Sequence, residues 1–274
     1  MIKHYRPQLR YLFRMAIVAM IGVLLASTCN AGTFFERSLA KMGERAQKAS
    51  PQDFTFVVLG DSRDDEEIFR KALMLAATFD PLFILHDGDF SLAGTPKEVD
   101  HFLEVVHGTA PDIPLFVIPG NHEQKKPFRE KIGPLEFVLD SPRLGFKVVV
   151  VDNSNYSLKA QQLTYLKDRL AEKRKFTFVA MHIPPQTARW NWHTFSDGAP
   201  ELISLLAEKK VTAAFYGHIH LYDRDDIKGV PHIITGGAGA RLISIGFPGD
   251  AVHHIVVVRV KDGAATCTMV KIPE

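Results

Sequence analysis

Five apolar, strand-like runs in this chain each stop at a polar side chain able to bind a metal ion: Asp61, Asp89, Asn121, His182 and His218. Gly60, Gly88, Gly120 and Gly217 precede four of them, giving a tight turn and room around a crowded centre. In open α/β sheets, sites form beyond the carboxyl ends of strands, where loops from separate strands converge. A chain built this way is under strong pressure to bring the five ends to one edge of a sheet.

The five runs are Phe54 to Leu59, Leu82 to Leu85, Leu115 to Ile118, Phe176 to Ala180 and Val211 to Tyr216, and Phe146 to Val151 is a further strand-like run outside that set. Helical patterns fall between them. Asp64 and Glu67 have capping-box spacing ahead of a face made of Ile68, Ala72, Leu75 and Phe79, and residues 96–107 read as helix. Leu163, Leu166 and Leu170 mark another amphipathic helix, and Leu202 to Leu206 a further one. After that the pattern changes to strands without helices: 233–234, 255–260 and 266–270. Alternating strand and helix followed by a strand meander is an α/β pattern. No Gly/Ser-rich linker interrupts it, so residues 53–274 read as one domain, after a helix-compatible lead-in at 32–52 that ends at Ser50-Pro51.

The formal net charge of +2 belongs to the N-terminus. Residues 1–31 hold Lys3, Arg6, Arg10 and Arg14 and no acid, which leaves 29 basic against 31 acidic side chains elsewhere. Nothing in that balance calls for a nucleic-acid partner. The basic stretch, the apolar run from Met15 to Ala26 and the small-residue exit through Ala31 form a signal-peptide pattern, with export to the periplasm or outside the cell as the expected location. An uncleaved anchor at residues 15–28 is the alternative, and the only membrane contact expected. Cleavage would remove Cys29 and leave Cys267 alone, in an alternating apolar stretch that suits a buried structural thiol.

Carboxylate and amide oxygens with imidazoles, and no thiolate, suit Mn, Fe, Zn or Ni rather than a structural zinc knot. In Gly217-His218-Ile219-His220 the imidazoles are two apart, so extended backbone turns both to one side. With His220 there are six candidate ligands, more than the three or four protein ligands one catalytic zinc takes. A pair of ions about 3.5–4 Å apart, bridged by one carboxylate, accommodates them. Taken singly, Asp61 and Asp89 could cap helices, Asn121 could serve a turn and His182 could be a packed histidine. Their joint pattern is what points to a site.

With its blocks Gly60-Asp61-Ser62-Arg63, Gly88-Asp89, Gly120-Asn121-His122-Glu123, Met181-His182 and Gly217-His218-Ile219-His220, in that order, the chain resembles the calcineurin-like metallophosphoesterases over roughly residues 54 to 240. The resemblance implies a four-layer α/β/β/α sandwich of two mixed sheets flanked by helices, with the metals at one edge. It implies two divalent ions. Asp89 would bridge them, with Asp61 and His220 on the first and Asn121, His182 and His218 on the second. It implies a metal-activated hydroxide attacking a small phosphorylated substrate, monoester or diester. His122 would be no ligand; it would assist the leaving group.

The chain departs from that pattern at Arg63, where the family supplies a histidine ligand. A guanidinium has no lone pair for a metal. Two readings follow: a weakened Asp61/His220 position, or an arginine clamping a phosphate oxygen as part of the catalytic set. A further consequence to weigh is a degenerate member of the fold that only binds a partner.

Four other features stand out. His86 reads as either a support for the site or a buried strand-end histidine. Arg189-Trp190-Asn191-Trp192-His193 is either a substrate-facing lip or a cover for the core edge. Gly236 to Gly239 reads as a flexible turn near the site, with Arg241 as a candidate phosphate contact. Substrate specificity is expected in loops 123–145 and 184–199.

Overall fold

The computed structural model describes residues 32–243 and 245–273. The expected signal peptide or anchor at 1–31 lies outside them. Among the described residues, no helix is long and apolar enough to cross a membrane.

Two mixed sheets stack face to face. In the first, β1 (Asp53–Leu59), β2 (Ile84–His86) and β3 (Leu115–Val117) run parallel. Antiparallel β10 (His254–Lys261) and β11 (Ala264–Lys271) extend it beyond β1, in the order β11-β10-β1-β2-β3. The second sheet is ordered β4-β5-β6-β7-β9-β8. Its β5 (Phe146–Val150), β6 (Phe176–Ala180), β7 (Ala213–Tyr216) and β9 (Val230–Thr235) are parallel. At the edges β4 (Phe137–Ser141) and β8 (Tyr222–Ile227) pair antiparallel.

Period-two alternation explains the layers. On β1, Phe54, Phe56 and Val58 face the second sheet while Val57 and Leu59 face outward. Phe56 stacks on Phe83 at 4.9 Å and meets Phe178 of the other sheet edge-on at 5.1 Å. The outward face of the first sheet is covered by α2 (Glu66–Ala77) and α3 (Pro96–Thr109) through Phe69, Ala72, Leu73, Val99 and Phe102. Leu166 of α4 (Ala160–Arg169) and Leu202 and Leu206 of α5 (Ala199–Lys209) cover the second. The architecture is the expected α/β/β/α sandwich.

The lead-in is more than a tether. Residues Phe34–Lys48 form α1, and Phe35 closes the interlayer core at its β3/β4 edge, 5.5 Å from Phe116 and 5.0 Å from Phe137. Arg143 donates to the carbonyls of Ala46 and Ala49, satisfying orphan acceptors at the end of this helix.

Some expected details shift. The cap of α2 is Asp65, whose carboxylate accepts from Ile68 N at 3.0 Å, so the buried face is Phe69, Ala72, Leu73 and Ala76. One residue of cap displacement rotates a helix by about 100° and changes which side chains face in. Strands β4 and β8 lie where no apolar run pointed to them. The latter reads Tyr-Asp-Arg-Asp-Asp-Ile and is held by its hairpin, with Lys228 and Gly229 both at positive φ. Cys267 sits half-buried on β11, its thiol pushed up to about 12 by burial.

Candidate metal centre

The carboxyl ends of β1, β2 and β3 from one sheet, and of β6 and β7 from the other, open on the same edge. Asp61, Asp89 and His218 each take the left-handed region there, with φ of 56°, 56° and 67°. Non-glycine residues pay for that conformation, and the surroundings impose it. Two of the neighbouring glycines serve closeness instead. A Cβ on Gly60 would lie 1.4 Å from Asp87 Oδ1, and one on Gly120 would lie 2.0 Å from Asp89 Oδ1.

Two groups of ligand atoms converge: Asp89, His182 and His218, and Asp61, Asp89 and His220, each with its atoms within 4.8 Å of one another. Asn121 joins the first, with Oδ1 3.1 Å from His182 Nε2. The Nε2 of His182 stands 3.3 Å from Asp89 Oδ1, and that of His220 stands 3.5 Å from Asp61 Oδ1.

Backbone carbonyls aim the imidazoles. His182 Nδ1 donates to the Asp87 carbonyl at 2.8 Å, and His220 Nδ1 to that of Arg241 at 2.8 Å. A carbonyl only accepts, so each ring is protonated at Nδ1 and turns Nε2 to the site. His218 is the reverse. Its Nε2 meets the Tyr156 hydroxyl at 3.2 Å, while its Nδ1 is buried without a partner, as is Asp61 Oδ1.

Asp89 and His182 also set each other's charge. Burial is the largest influence on His182 and opposes its charge, but Asp89, Asp61 and the Asp87 carbonyl together raise the imidazole to about 10. Burial likewise raises Asp89, and His182 more than compensates, keeping it well below the carboxylate range. The carboxylates take up positive charge from whatever is nearest. The orphaned His218 Nδ1, the Asp89 and Asn121 oxygens and the Nε2 edge of His182 fit a divalent ion on Asp89, Asn121, His182 and His218.

The other corner differs. The Arg63 guanidinium, 17% exposed, lies between two of its ligands, with Nη2 3.3 Å from His220 Nε2 and Nε 3.7 Å from Asp89 Oδ2. At an effective dielectric of 20, a guanidinium about 4 Å away repels an ion by roughly 4 kcal/mol per unit of its charge. His122 stands beside this corner, Nε2 3.8 Å from Asp89 Oδ2 and Nδ1 donating to the Leu92 carbonyl at 2.8 Å.

Three residues shape the centre without having been singled out for it. Glu123, read only as part of a block, accepts from Asp89 N and Gly120 N through Oε2, at 3.0 and 2.7 Å, and from Ser91 Oγ at 2.9 Å. Burial and then Asp89 push its carboxyl up to about 7. Asp87 is fully buried with both oxygens unpartnered, and burial and then Asp61 raise it well above the usual range. Tyr156 orients His218. Glu123 carried a signal, as the last residue of the Gly120-Asn121-His122-Glu123 block, whereas Asp87 and Tyr156 carry no spacing that could have revealed them.

The ambiguous features resolve. His86 is both buried and supporting: its Nδ1 accepts from Gly88 N at 3.2 Å, so its Nε2 donates to Ser62 Oγ at 2.8 Å, with burial lowering it to about 3. The aromatic cluster divides. Trp190 is wholly buried and donates to Asp223 at 2.7 Å, whereas Trp192 is 46% exposed and stacks on Phe247 at 4.6 Å. His193 lies between that stack and the centre, 4.5 Å from Trp192 and 5.8 Å from His218. The turn at Gly236 to Gly239 is buried rather than loose, and Arg241, whose side chain is exposed, serves through its carbonyl.

A calcineurin-like phosphoesterase family profile matches residues 54–222. A probable cyclic nucleotide phosphodiesterase of Pseudoalteromonas sp. (strain SM9913) is 26% identical over 163 residues, 56% of this chain and 62% of that protein. Another so described, from Synechococcus sp. (strain ATCC 27144 / PCC 6301 / SAUG 1402/1), is 26% identical over 151 residues, 51% of this chain and 58% of its own. The chain thus spans less than two thirds of the length of these curated relatives. The purple acid phosphatase of yellow lupin (Lupinus luteus) seeds superposes with a TM-score of 0.66 at 16% identity, over 80% of this chain and 51% of that one. GAP50, the anchor in the inner membrane complex of Plasmodium, gives 0.63 at 13%, over 81% and 86%. At such identities the two solved structures speak for the fold alone.

Proposed function

We infer that this chain, which belongs to the calcineurin-like phosphoesterase family, is a metal-dependent hydrolase of phosphoric esters. The observation that carries the reading is the convergence of Asp89, Asn121, His182 and His218 with His122 at their side. When bound there, an ion supplies positive charge for the phosphoryl oxygens and acidifies a water. The chain's residues supply the rest. Backbone carbonyls and Tyr156 hold the imidazoles in place. His122 keeps its Nδ1 proton on the Leu92 carbonyl and turns Nε2 to the site, where a second proton, carried by the doubly protonated ring, would pass to the leaving oxygen. Arg63 offers N–H groups to a phosphoryl oxygen in the same corner.

The finer substrate reading is a phosphodiester with a flat aromatic group, such as a cyclic nucleotide. The descriptions of both curated relatives support it, and so does the exposed Trp192-Phe247 stack near His218. The leader-like residues 1–31 support a periplasmic or secreted location.

The test is turnover of a cyclic nucleotide, an aryl diester and an aryl monoester by protein loaded in turn with Mn, Fe, Zn and Ni. Preference for the diesters is expected; no turnover of any ester would overturn the reading. A binding module without catalysis is the second reading, favoured by the guanidinium of Arg63 among the ligands. Metal uptake without turnover would support it.

A further inference from the structure

We propose that Arg63 stands in for the first metal ion of this centre, so that the protein binds one divalent ion, on Asp89, Asn121, His182 and His218. The inference rests on the metal-site part of the reading above and not on catalysis. His220 has two ring nitrogens. Its Nδ1 donates to the Arg241 carbonyl at 2.8 Å, which leaves one lone pair, on Nε2. That lone pair is the one an ion at Asp61, Asp89 and His220 would need. Arg63 Nη2 points an N–H at it from 3.3 Å, closer than Asp61 Oδ1 at 3.5 Å.

The same guanidinium reaches Asp89 Oδ2 through Nε at 3.7 Å and Asp64 Oδ1 through Nη1 at 3.6 Å. The backbone of Arg63 is fixed to the same residue, its N–H donating to the Asp89 carbonyl at 3.3 Å. A fixed positive charge therefore sits among the ligands of the first position, facing Asp89 and Asp64, while Asp61 meets His220 there, at 3.5 Å. Arg63 also fills the place of the histidine that would complete that position. The second position has no such intruder. His218 Nδ1 is buried there without a hydrogen-bond partner, on a ring that groups with Asp89 and His182.

The test is metal stoichiometry, measured on the full chain by equilibrium dialysis against Mn2+ and elemental analysis. One equivalent per chain is expected for the wild type and two for Arg63→His. The wild type should give the six-line electron paramagnetic resonance spectrum of isolated Mn2+, and Arg63→His the broadened signal of a coupled pair. Should Arg63→His fail to fold, a second pair of variants decides: His220→Ala should keep the single equivalent and His182→Ala should lose it. Two equivalents in the wild type, none at all, or loss of the ion in His220→Ala would overturn the proposal. Because no step reads turnover, a protein that binds one ion and hydrolyses nothing would leave this inference standing while removing the phosphoesterase reading.

Discussion

Glu123 ties the loop after β2 to the loop after β3, its Oε2 accepting the backbone N–H of Asp89 at 3.0 Å and of Gly120 at 2.7 Å. Asp89 serves both ligand groups, and Gly120 leads into Asn121, so one buried carboxylate sets the distance between two ligands. Replacing Glu123 by alanine should weaken metal binding by roughly 10–100-fold, the usual cost of losing a group that orients ligands. It should also cost about 1–3 kcal/mol of stability, because two buried N–H groups lose their acceptor. Calorimetric metal titration and denaturant melts would show both, and an unchanged affinity would contradict the assignment.

His122 lies beside the ligands without belonging to either group. His122→Ala should leave metal content unchanged and lower kcat by roughly 10²–10⁴ for an ester with a poor leaving group. The loss should shrink for a nitrophenyl ester, whose leaving group needs no proton. A uniform loss across leaving groups would remove His122 from proton transfer.

The two tryptophans predict opposite outcomes. Trp190 is fully buried against the second sheet, so Trp190→Ala should destabilise by roughly 3–5 kcal/mol. Trp192→Ala should stay within about 0.5 kcal/mol of the wild type. It should instead raise KM for substrates carrying an aromatic group. Equal melting losses for both would refute the division.

His232 and His254 are buried and are not themselves proposed ligands, and burial pushes both down to about 4 from 6.5. Unfolding lets each take the proton it refuses in the fold. Their stability contribution is therefore present above pH 6.5 and lost as pH falls toward 4, by roughly 1.4 kcal/mol per pH unit for each imidazole. Denaturant melts of metal-free protein between pH 7 and 4.5 should show this slope. His232→Asn should reduce it by about one proton, and an unchanged slope would count against a neutral His232.

Much of the fold was legible because its signals are local. Phe54 to Leu59 is an apolar run closed by glycine, and a buried parallel strand needs nothing more to announce itself. β4 and β8 were silent because edge strands of mixed composition are held by pairing with β5 and β9, not by their own residues. Helix α2 was seen but turned by one position, since Asp64 and Asp65 offer the same capping chemistry and only packing chooses between them.

By itself the sequence determined which side chains able to bind a metal stand at strand ends, and in what order, which follows from apolar periodicity and from the coordination chemistry of oxygen and nitrogen. Its resemblance to the family also marked Arg63 as standing where that family has a histidine. What the arginine does was decided by tertiary structure, because its partner His220 is 157 residues away and meets it only where the two sheets open on one edge. The tertiary structure likewise separated Trp190 from Trp192 and gave Glu123 its two loops. Such relationships depend on distances between remote segments, and no local spacing encodes them.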